Sequence, residues 1–264
     1  MGRIADRFAQ LRGRGERALI PFLTAGDPNL PTTEALVLAM AEAGADLIEV
    51  GVPFSDPSAE GPTIQRSSER ALRSGTTLRG VLKLIQNLRP KVEQPLVLMG
   101  YANVFLAMGE RNFAAAAKEV GVDGVITVDL PPEEGQLFFD SLIESGIDPI
   151  LLASPTTPES RMEMLVERAR GFLYYVSLTG VTGARKEMAA GLEEAVSKIR
   201  EISGIPVCVG FGISTPEQVA EVGRFADGAV VWSALVDLIE AAETPGPAVI
   251  SVSEFVAKLK GALR

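Results

Sequence analysis

The stretch that decides the fold is DLIEVGVPFSDPSAEGPTIQ, residues 46–65. It opens as a strand, because Leu47, Ile48 and Val50 all favour extended backbone. Glu49 interrupts this apolar run with a carboxyl group. A strand buried on both faces is nearly continuous in apolar residues, so an acid there costs several kcal/mol in desolvation unless it is paired or used. Glu49 is therefore the first candidate for a functional residue.

The segment after this strand is predicted to be a fixed loop that carries two more acids, Asp56 and Glu60. Its glycines and prolines exclude regular structure. They are Gly51, Pro53, Pro57, Gly61 and Pro62. A strand end, an acid inside the strand and a rigid acidic loop together predict an active site.

The length of the chain favours one large core. It has 264 residues, of which 47% are hydrophobic and 22% charged, and α/β barrels of about 250 residues commonly form one domain. We therefore expect a single domain over residues 1–264.

Composition excludes several classes of function. The net charge of -9 and the lack of a Lys/Arg tract argue against nucleic-acid binding. No apolar run approaches 18 residues and the N-terminus is charged, so we expect neither a membrane span nor a signal peptide. The single Cys208 excludes a disulfide framework and a cysteine zinc site and indicates a reducing, cytoplasmic setting. Because the chain has no histidine, carboxylates, backbone amides or tyrosines must carry any catalysis.

A repeated helix-to-strand turn indicates a barrel. Four segments each place a small residue, then Asp, then an apolar strand. They are AGADLIEV (43–50), VGVDGVITV (120–128), SGIDPILL (145–152) and FADGAVVW (225–232). Roughly eight βα units with one strand each predict a closed (β/α)8 barrel, the TIM-barrel architecture, whereas an open doubly wound sheet has no reason to stop at eight.

The predicted elements alternate along the chain, with an extra N-terminal helix and extra helices around the eighth strand. The predicted strands are 18–24, 47–52, 95–101, 123–128, 148–152, 172–176, 206–209 and 228–231. The predicted helices are 2–14, 32–43, 63–74, 78–88, 113–120, 132–145, 158–169, 192–202, 216–222, 235–242 and 251–263, and residues 177–191 are expected to form a long loop.

Polar residues follow the predicted strands at the carboxyl ends, where barrel active sites lie. Besides the acids of the second unit, Tyr101 and Asn103 follow the third strand and Asp129 follows the fourth, while Tyr174 and Tyr175 lie in the sixth strand. GFGIS, residues 210–214, and Ser233 precede helices after the seventh and eighth strands, the usual position of a barrel phosphate site. A tight turn is the alternative interpretation of Gly210 and Gly212.

Four motifs resemble the tryptophan synthase α-chain family. They are FLTAGDP (22–28), IEVGVPFSDPSAEGPTIQ (48–65), GVTGAR (180–185) and GFGISTPEQV (210–219). The resemblance implies cleavage of indole-3-glycerol phosphate to indole and glyceraldehyde 3-phosphate, without a metal or organic cofactor in this chain. It also implies a β-chain partner that carries pyridoxal phosphate and receives indole through a tunnel in an α2β2 tetramer.

The resemblance assigns roles to individual residues. Glu49 matches the catalytic glutamate and Glu60 the second catalytic acid. A carboxyl in an apolar pocket, with its pKa raised by desolvation, can act as acid and then base near pH 7, and Glu60 would accept a hydrogen bond from the indole N–H. The expected substrate-binding residues are Phe22, Leu98, Tyr174, Thr182, Gly183, Gly210, Gly212 and Ser233.

These assignments have simpler alternatives. Glu49 could be a structural acid held by backbone amides, and Glu60 a solvated loop carboxylate.

The loop that carries Thr182 is expected to close over the second acid as a lid. Asp56 is expected to face the β partner.

Three positions depart from the family pattern, which has Asp at Glu60, an apolar residue at Ser58 and Gly at Trp232. The extra methylene of Glu60 moves its carboxylate by about 1.5 Å, and a shift on that scale can cost about 100-fold in rate. The indole of Trp232 could fill the phosphate cradle or the substrate pocket, or turn outward. Two alternatives follow: a catalytically weak subunit that docks on and activates the β chain, or an aldol-type lyase with a changed substrate.

Overall fold

The computed structural model describes residues 2–176, 185–210 and 212–264. In these ranges nine parallel strands form one sheet in the order β5-β4-β3-β2-β1-β9-β8-β7-β6. The strands are β1 Ala18–Thr24, β2 Ile48–Gly51, β3 Leu96–Gly100, β4 Gly124–Thr127, β5 Asp148–Pro149, β6 Leu151–Ala153, β7 Leu173–Val176, β8 Val207–Gly210 and β9 Gly228–Val231.

The sheet closes into a barrel because β5 and β6 are two halves of the predicted fifth strand. The first half pairs with β4, and the second pairs with β7 through Leu151 and Leu173. Between the halves, the N–H of Ile150 donates to the carbonyl of Val125 at 3.0 Å. The ring of strands confirms the predicted barrel. Because the predicted fifth strand is divided into β5 and β6, the predicted sixth, seventh and eighth strands are labelled β7, β8 and β9.

Helices pack outside the strands. Their bounds are α1 Arg3–Arg14, α2 Leu30–Glu42, α3 Pro62–Arg73, α4 Leu78–Leu88, α5 Ala102–Leu106, α6 Glu110–Val120, α7 Gln136–Glu144, α8 Glu159–Arg168, α9 Arg185–Ile202, α10 Pro216–Val222, α11 Ser233–Ala241 and α12 Pro245–Gly261. None of the helices in the described ranges combines the length and the hydrophobicity that a membrane span requires.

Four helix predictions need correction. The last helix begins at Pro245, six residues before the predicted start, because proline is well tolerated in a first helical turn. The predicted loop 177–191 ends earlier, since α9 begins at Arg185. Residues 132–134 form a turn ahead of α7. Helix α5 was not predicted at all, because a five-residue helix carries too little periodicity to recognise.

The core has two layers. One lies between the strands and the outer helices, and the other fills the barrel interior with residues from every second strand position. The N-terminal helix belongs to the inner layer. Ile4 and Phe8 of α1 are buried, and the Phe8 ring lies 6.0 Å from that of Phe172, just before β7. Arg3 bonds Asp123, just before β4, at 2.9 Å. Helix α1 therefore closes the barrel at the amino ends of its strands.

Candidate active site

Glu49 points into the barrel from β2. It pairs with Phe22 of β1 on one side and with Val97 of β3 on the other, and both neighbours belong to the inner core. Its side chain is fully buried. Burial raises the pKa of Glu49 from 4.5 to about 8, and a hydrogen bond from Trp232 opposes this rise. The carboxyl therefore holds its proton at neutral pH.

Only one oxygen of the Glu49 carboxyl is hydrogen-bonded within the described ranges. Oε2 accepts a 2.9 Å hydrogen bond from the Trp232 indole Nε1, whereas Oε1 is buried without a described partner. Buried carboxyl oxygens are normally satisfied. The alternative of a structural acid held by backbone amides does not fit this geometry, because the described partner is a side chain 183 residues away.

Glu60 lies in the loop between β2 and α3 and is held by Tyr101. The Tyr101 hydroxyl donates to Glu60 Oε2 and accepts from the backbone N–H of Ala59 at 2.8 Å. The Tyr101 ring stacks on Phe54 with 4.9 Å between centroids. Partial burial raises the pKa of Glu60, and the Tyr101 hydrogen bond opposes the rise. Glu60 is thus positioned by the fold and is not a freely solvated loop acid.

A small cavity separates the second acid from the barrel interior. Its walls come from the first three strands, the β2 loop and α3, and they include Phe22, Phe54, Glu60, Ile64, Met99 and Tyr101. Its volume is about 20 Å³, whereas pockets for small molecules typically span about 300–1,000 Å³. The described residues therefore show a site with both acids in place but little free space.

Leu98 does not lie where the sequence interpretation placed it. It belongs to the outer core between the sheet and the helices, whereas its neighbour Met99 belongs to the inner core and lines the cavity. Side chains alternate between the two faces of a strand, so an error of one residue moves the prediction to the wrong face. Met99 replaces Leu98 as the pocket residue of β3.

Tyr174 packs inside the barrel as predicted and explains one of the glycines. A Cβ atom on Gly210 would lie only 2.2 Å from the Tyr174 hydroxyl, so β8 needs glycine there for space. This close approach, more than a tight turn, accounts for Gly210. The Phe22 ring likewise packs directly against a glycine, since a Cβ atom on Gly51 would lie 2.5 Å from that ring.

The predicted phosphate residues follow two adjacent strands. Gly210 ends β8 and faces Val230 of β9, Gly212 has a φ of 74° that favours glycine, and Ser233 is the first residue of α11. The amides of residues 214 and 215 both donate to the side chain of Gln218. The start of α11, with its helix dipole, is therefore the better anion-binding position.

The remaining predicted positions differ in whether the structure describes them and in what they contact. Thr182 and Gly183 lie outside the described residues. Asp56 is exposed and accepts from the Ser55 hydroxyl at 2.6 Å. Asp129 anchors the start of α5 by accepting from the Ala102 N–H at 2.7 Å. Within the described ranges, no group of three acidic or cysteine side chains is placed to hold a metal ion.

Sequence reasoning missed two contacts that shape the site. Tyr101 was noted only as a residue at a strand end, although its place directly after β3 is the signal that could have linked it to Glu60. The bond between Trp232 and Glu49 had no local signal at all. These contacts place two carboxyl groups of raised pKa in a (β/α)8 barrel, an arrangement typical of the class of barrel enzymes that use acid–base chemistry.

Comparison with known proteins narrows this class. The family model described as tryptophan synthase alpha chain matches residues 8–264. The tryptophan synthase alpha chain of Geobacter sp. (strain M21) is 54% identical over 240 residues, 91% of this chain and 90% of that protein. That of Citrifermentans bemidjiense is 55% identical over the same shares. The crystal structure of the alpha subunit from Legionella pneumophila str. Paris is 38% identical, has a TM-score of 0.92 and covers 100% of this chain and 98% of that one. The chain belongs to the tryptophan synthase alpha chain family.

Proposed function

We propose that this chain is a carbon–carbon lyase of tryptophan biosynthesis that cleaves indole-3-glycerol phosphate to indole and glyceraldehyde 3-phosphate. Membership of the family supports the reaction. The observation that carries the proposal is Glu49, fully buried in the barrel with a pKa of about 8. Such a carboxyl can give up a proton and take one back near neutral pH, which is what a retro-aldol cleavage requires.

In this mechanism one carboxyl group moves both protons. The Glu49 carboxylic acid protonates C3 of the indole ring and leaves a cationic ring. The resulting carboxylate removes the proton from the side-chain hydroxyl next to the bond that breaks. The C–C bond then breaks, its electron pair returns to the ring, and an aldehyde forms on the glycerol phosphate fragment. Glu49 ends protonated, ready for another turnover.

Glu60 would stabilise the charge that this protonation creates. A carboxylate that accepts a hydrogen bond from the indole N–H favours the cationic ring. Tyr101 donates to Oε2 of Glu60, which fixes the side chain and leaves Oε1 as the acceptor for the substrate. The extra methylene relative to aspartate is thus held in one position by a neighbouring hydroxyl.

The phosphate group would bind where β8 and β9 end. The positive end of α11 at Ser233 and the backbone of Gly212 support this placement. Thr182 and Gly183 stay predicted substrate-binding residues, and the loop that carries Thr182 stays the predicted lid. No cofactor is proposed for this chain, and the cytoplasmic location remains a prediction.

An alpha chain of tryptophan synthase implies a β-chain partner. We propose the α2β2 tetramer as the assembly, with pyridoxal phosphate carried by the β chain alone. Asp56 is exposed in the β2 loop, which is compatible with its predicted contact with that partner.

One observation supports a second candidate function. Trp232 bonds the proposed catalytic acid Glu49, and the cavity beside Glu60 has a volume of only about 20 Å³, as expected for a catalytically weak subunit that docks on and activates the β chain. A lyase with a changed substrate fits the same observation, because Trp232 would reshape the pocket.

Indole release from indole-3-glycerol phosphate by the purified chain tests the proposal, with and without a β chain, against Glu49→Gln. Release that depends on Glu49 and increases with the partner is the expected result. If release stays at the Glu49→Gln level in both conditions while the chain still activates the β chain, the docking subunit is the correct function. Release from another aldol substrate alone would establish the changed-substrate lyase.

A further inference from the structure

The indole of Trp232 packs against two aromatic residues of the barrel interior. Its ring centroid is 4.8 Å from that of Phe22, at an interplanar angle of 31°, and 6.0 Å from that of Tyr174, at 40°. The family resemblance predicted both residues to bind the substrate. The side chain therefore occupies the aromatic slot that the substrate ring needs.

The polar end of the same ring bonds the catalytic acid. The indole Nε1 donates to Glu49 Oε2 at 2.9 Å, so the carboxyl already contacts an indole, though one that belongs to the chain itself. The cavity beside Glu60 has no wall from Glu49. With Trp232 in this position, the Glu49 side chain is fully buried.

We propose that Trp232 is a built-in occupant of the indole subsite, which must swing out before substrate binds and so sets the specificity of the site. This inference rests on the proposed function for the identity of the substrate. The part of the inference that does not depend on catalysis is geometric. The Trp232 side chain fills a slot between Phe22, Tyr174 and Glu49 that has the size and shape of an indole ring.

The fold lets the side chain move while its helix stays in place. Trp232 is only partly buried, and it lies just before α11 with a backbone outside the helical region. The body of α11 is tied to α3, because Glu240 accepts from both Arg66 and Arg70 at 2.7–2.8 Å. A rotation of one side chain is therefore enough to open the slot.

One property of the chain and the choice of probe make the proposal testable. Trp232 is its only tryptophan, so 5-fluorotryptophan gives a single ¹⁹F resonance that reports this ring. Free indole is the probe, since it carries no fluorine and needs no catalysis. Apolar cavities in protein cores bind small aromatic molecules readily.

The first measurement is binding of free indole by equilibrium dialysis to the intact chain, Trp232→Gly and Trp232→Phe. We expect Trp232→Gly to bind indole at least tenfold more tightly than the unmodified chain, and Trp232→Phe to stay close to the unmodified chain because its ring still fills the slot. Equal affinity of Trp232→Gly and the unmodified chain overturns the proposal, whatever the lyase assay shows.

The second measurement keeps the test valid if the glycine variant does not fold. Indole is added to the fluorinated chain, and the ¹⁹F resonance of residue 232 is followed to saturation. Displacement of the Trp232 ring is supported if a new ¹⁹F resonance grows as indole is added and reaches half of its final intensity at the indole concentration that half-saturates binding in dialysis. An unchanged resonance while indole binds overturns it, because the two rings would then occupy different places.

Discussion

Glu49 stands directly opposite Phe22 in the parallel pairing of β2 with β1. The Glu49 carboxyl and the Phe22 ring therefore face the same side of the sheet. This places an acid of raised pKa against a π-surface, in a position to exchange a proton with an aromatic ring packed on that surface.

Replacing Glu49 by Gln is expected to lower kcat about 1,000-fold, since general acid–base catalysis typically contributes 10²–10⁴-fold. Gln keeps the shape of the protonated carboxyl and an oxygen that can accept from Trp232, so folding should be unaffected. Steady-state kinetics and circular dichroism check both statements. An active Glu49→Gln chain would contradict the proposed role.

Glu49→Gln should also change how the free energy of unfolding depends on pH. With a pKa of 4.5 unfolded and about 8 folded, Glu49 keeps a proton in the folded state that the unfolded chain releases. The folded state therefore loses stability as pH rises from 4.5 to 8. Between pH 6 and pH 8 the loss amounts to roughly 2 kcal/mol, and Glu49→Gln should not show it. Urea unfolding of both chains at the two pH values measures the difference.

Tyr101→Phe should lower kcat/KM about tenfold, because Glu60 loses the hydroxyl that fixes its side chain. The variant removes the hydroxyl that donates to Glu60 and accepts from the Ala59 N–H, and a hydrogen bond to a charged group contributes about 1.5–3 kcal/mol. Tyr175→Phe is the matched control, because that tyrosine belongs to the outer core. Equal effects of the two variants would show that Tyr101 does not position Glu60.

Gly210→Ala should destabilise the chain by about 1–3 kcal/mol, because the new methyl group would lie 2.2 Å from the Tyr174 hydroxyl. Tyr174→Phe removes that oxygen, so the double variant should recover part of the loss. Denaturant unfolding of the four chains forms a double-mutant cycle. Additive effects would mean that the two residues do not compete for space.

Lys260→Met should cost about 3–5 kcal/mol in unfolding free energy. Lys260 is buried and donates to Asp46 at 2.8 Å, and removing one partner of a buried pair leaves the other charge uncompensated. Lys198→Met is the control, since Lys198 is exposed and its pair with Glu194 is screened by solvent. The control should change the unfolding midpoint little.

The parts of the site that follow from local pattern could be predicted. An acid inside an apolar strand identified Glu49, and the repeated helix-to-strand turn gave the number of strands. The wrong choice of Leu98 over Met99 has a local cause too. The run PLVLMG is apolar on both faces, so its alternation carries no signal about which side chains point inward.

The contacts between distant segments could not be predicted. Trp232 and Glu49 are 183 residues apart, and the sequence alone left the indole free to turn inward or outward. The bond from Tyr101 to Glu60 joins two different strand ends. Such contacts depend on how the barrel brings its loops together, which no single stretch of sequence determines.

Helix α1 affects the end of the barrel at which substrate and products can pass. By packing Ile4 and Phe8 against the inner core, it seals one end of the barrel, so that in the described part of the chain the opposite rim, at the carboxyl ends of the strands, is the open end. In the proposed reaction, substrate enters and both products leave at this rim. A protein that intercepts the released indole therefore has to sit on that rim, beside the same loops that admit the substrate.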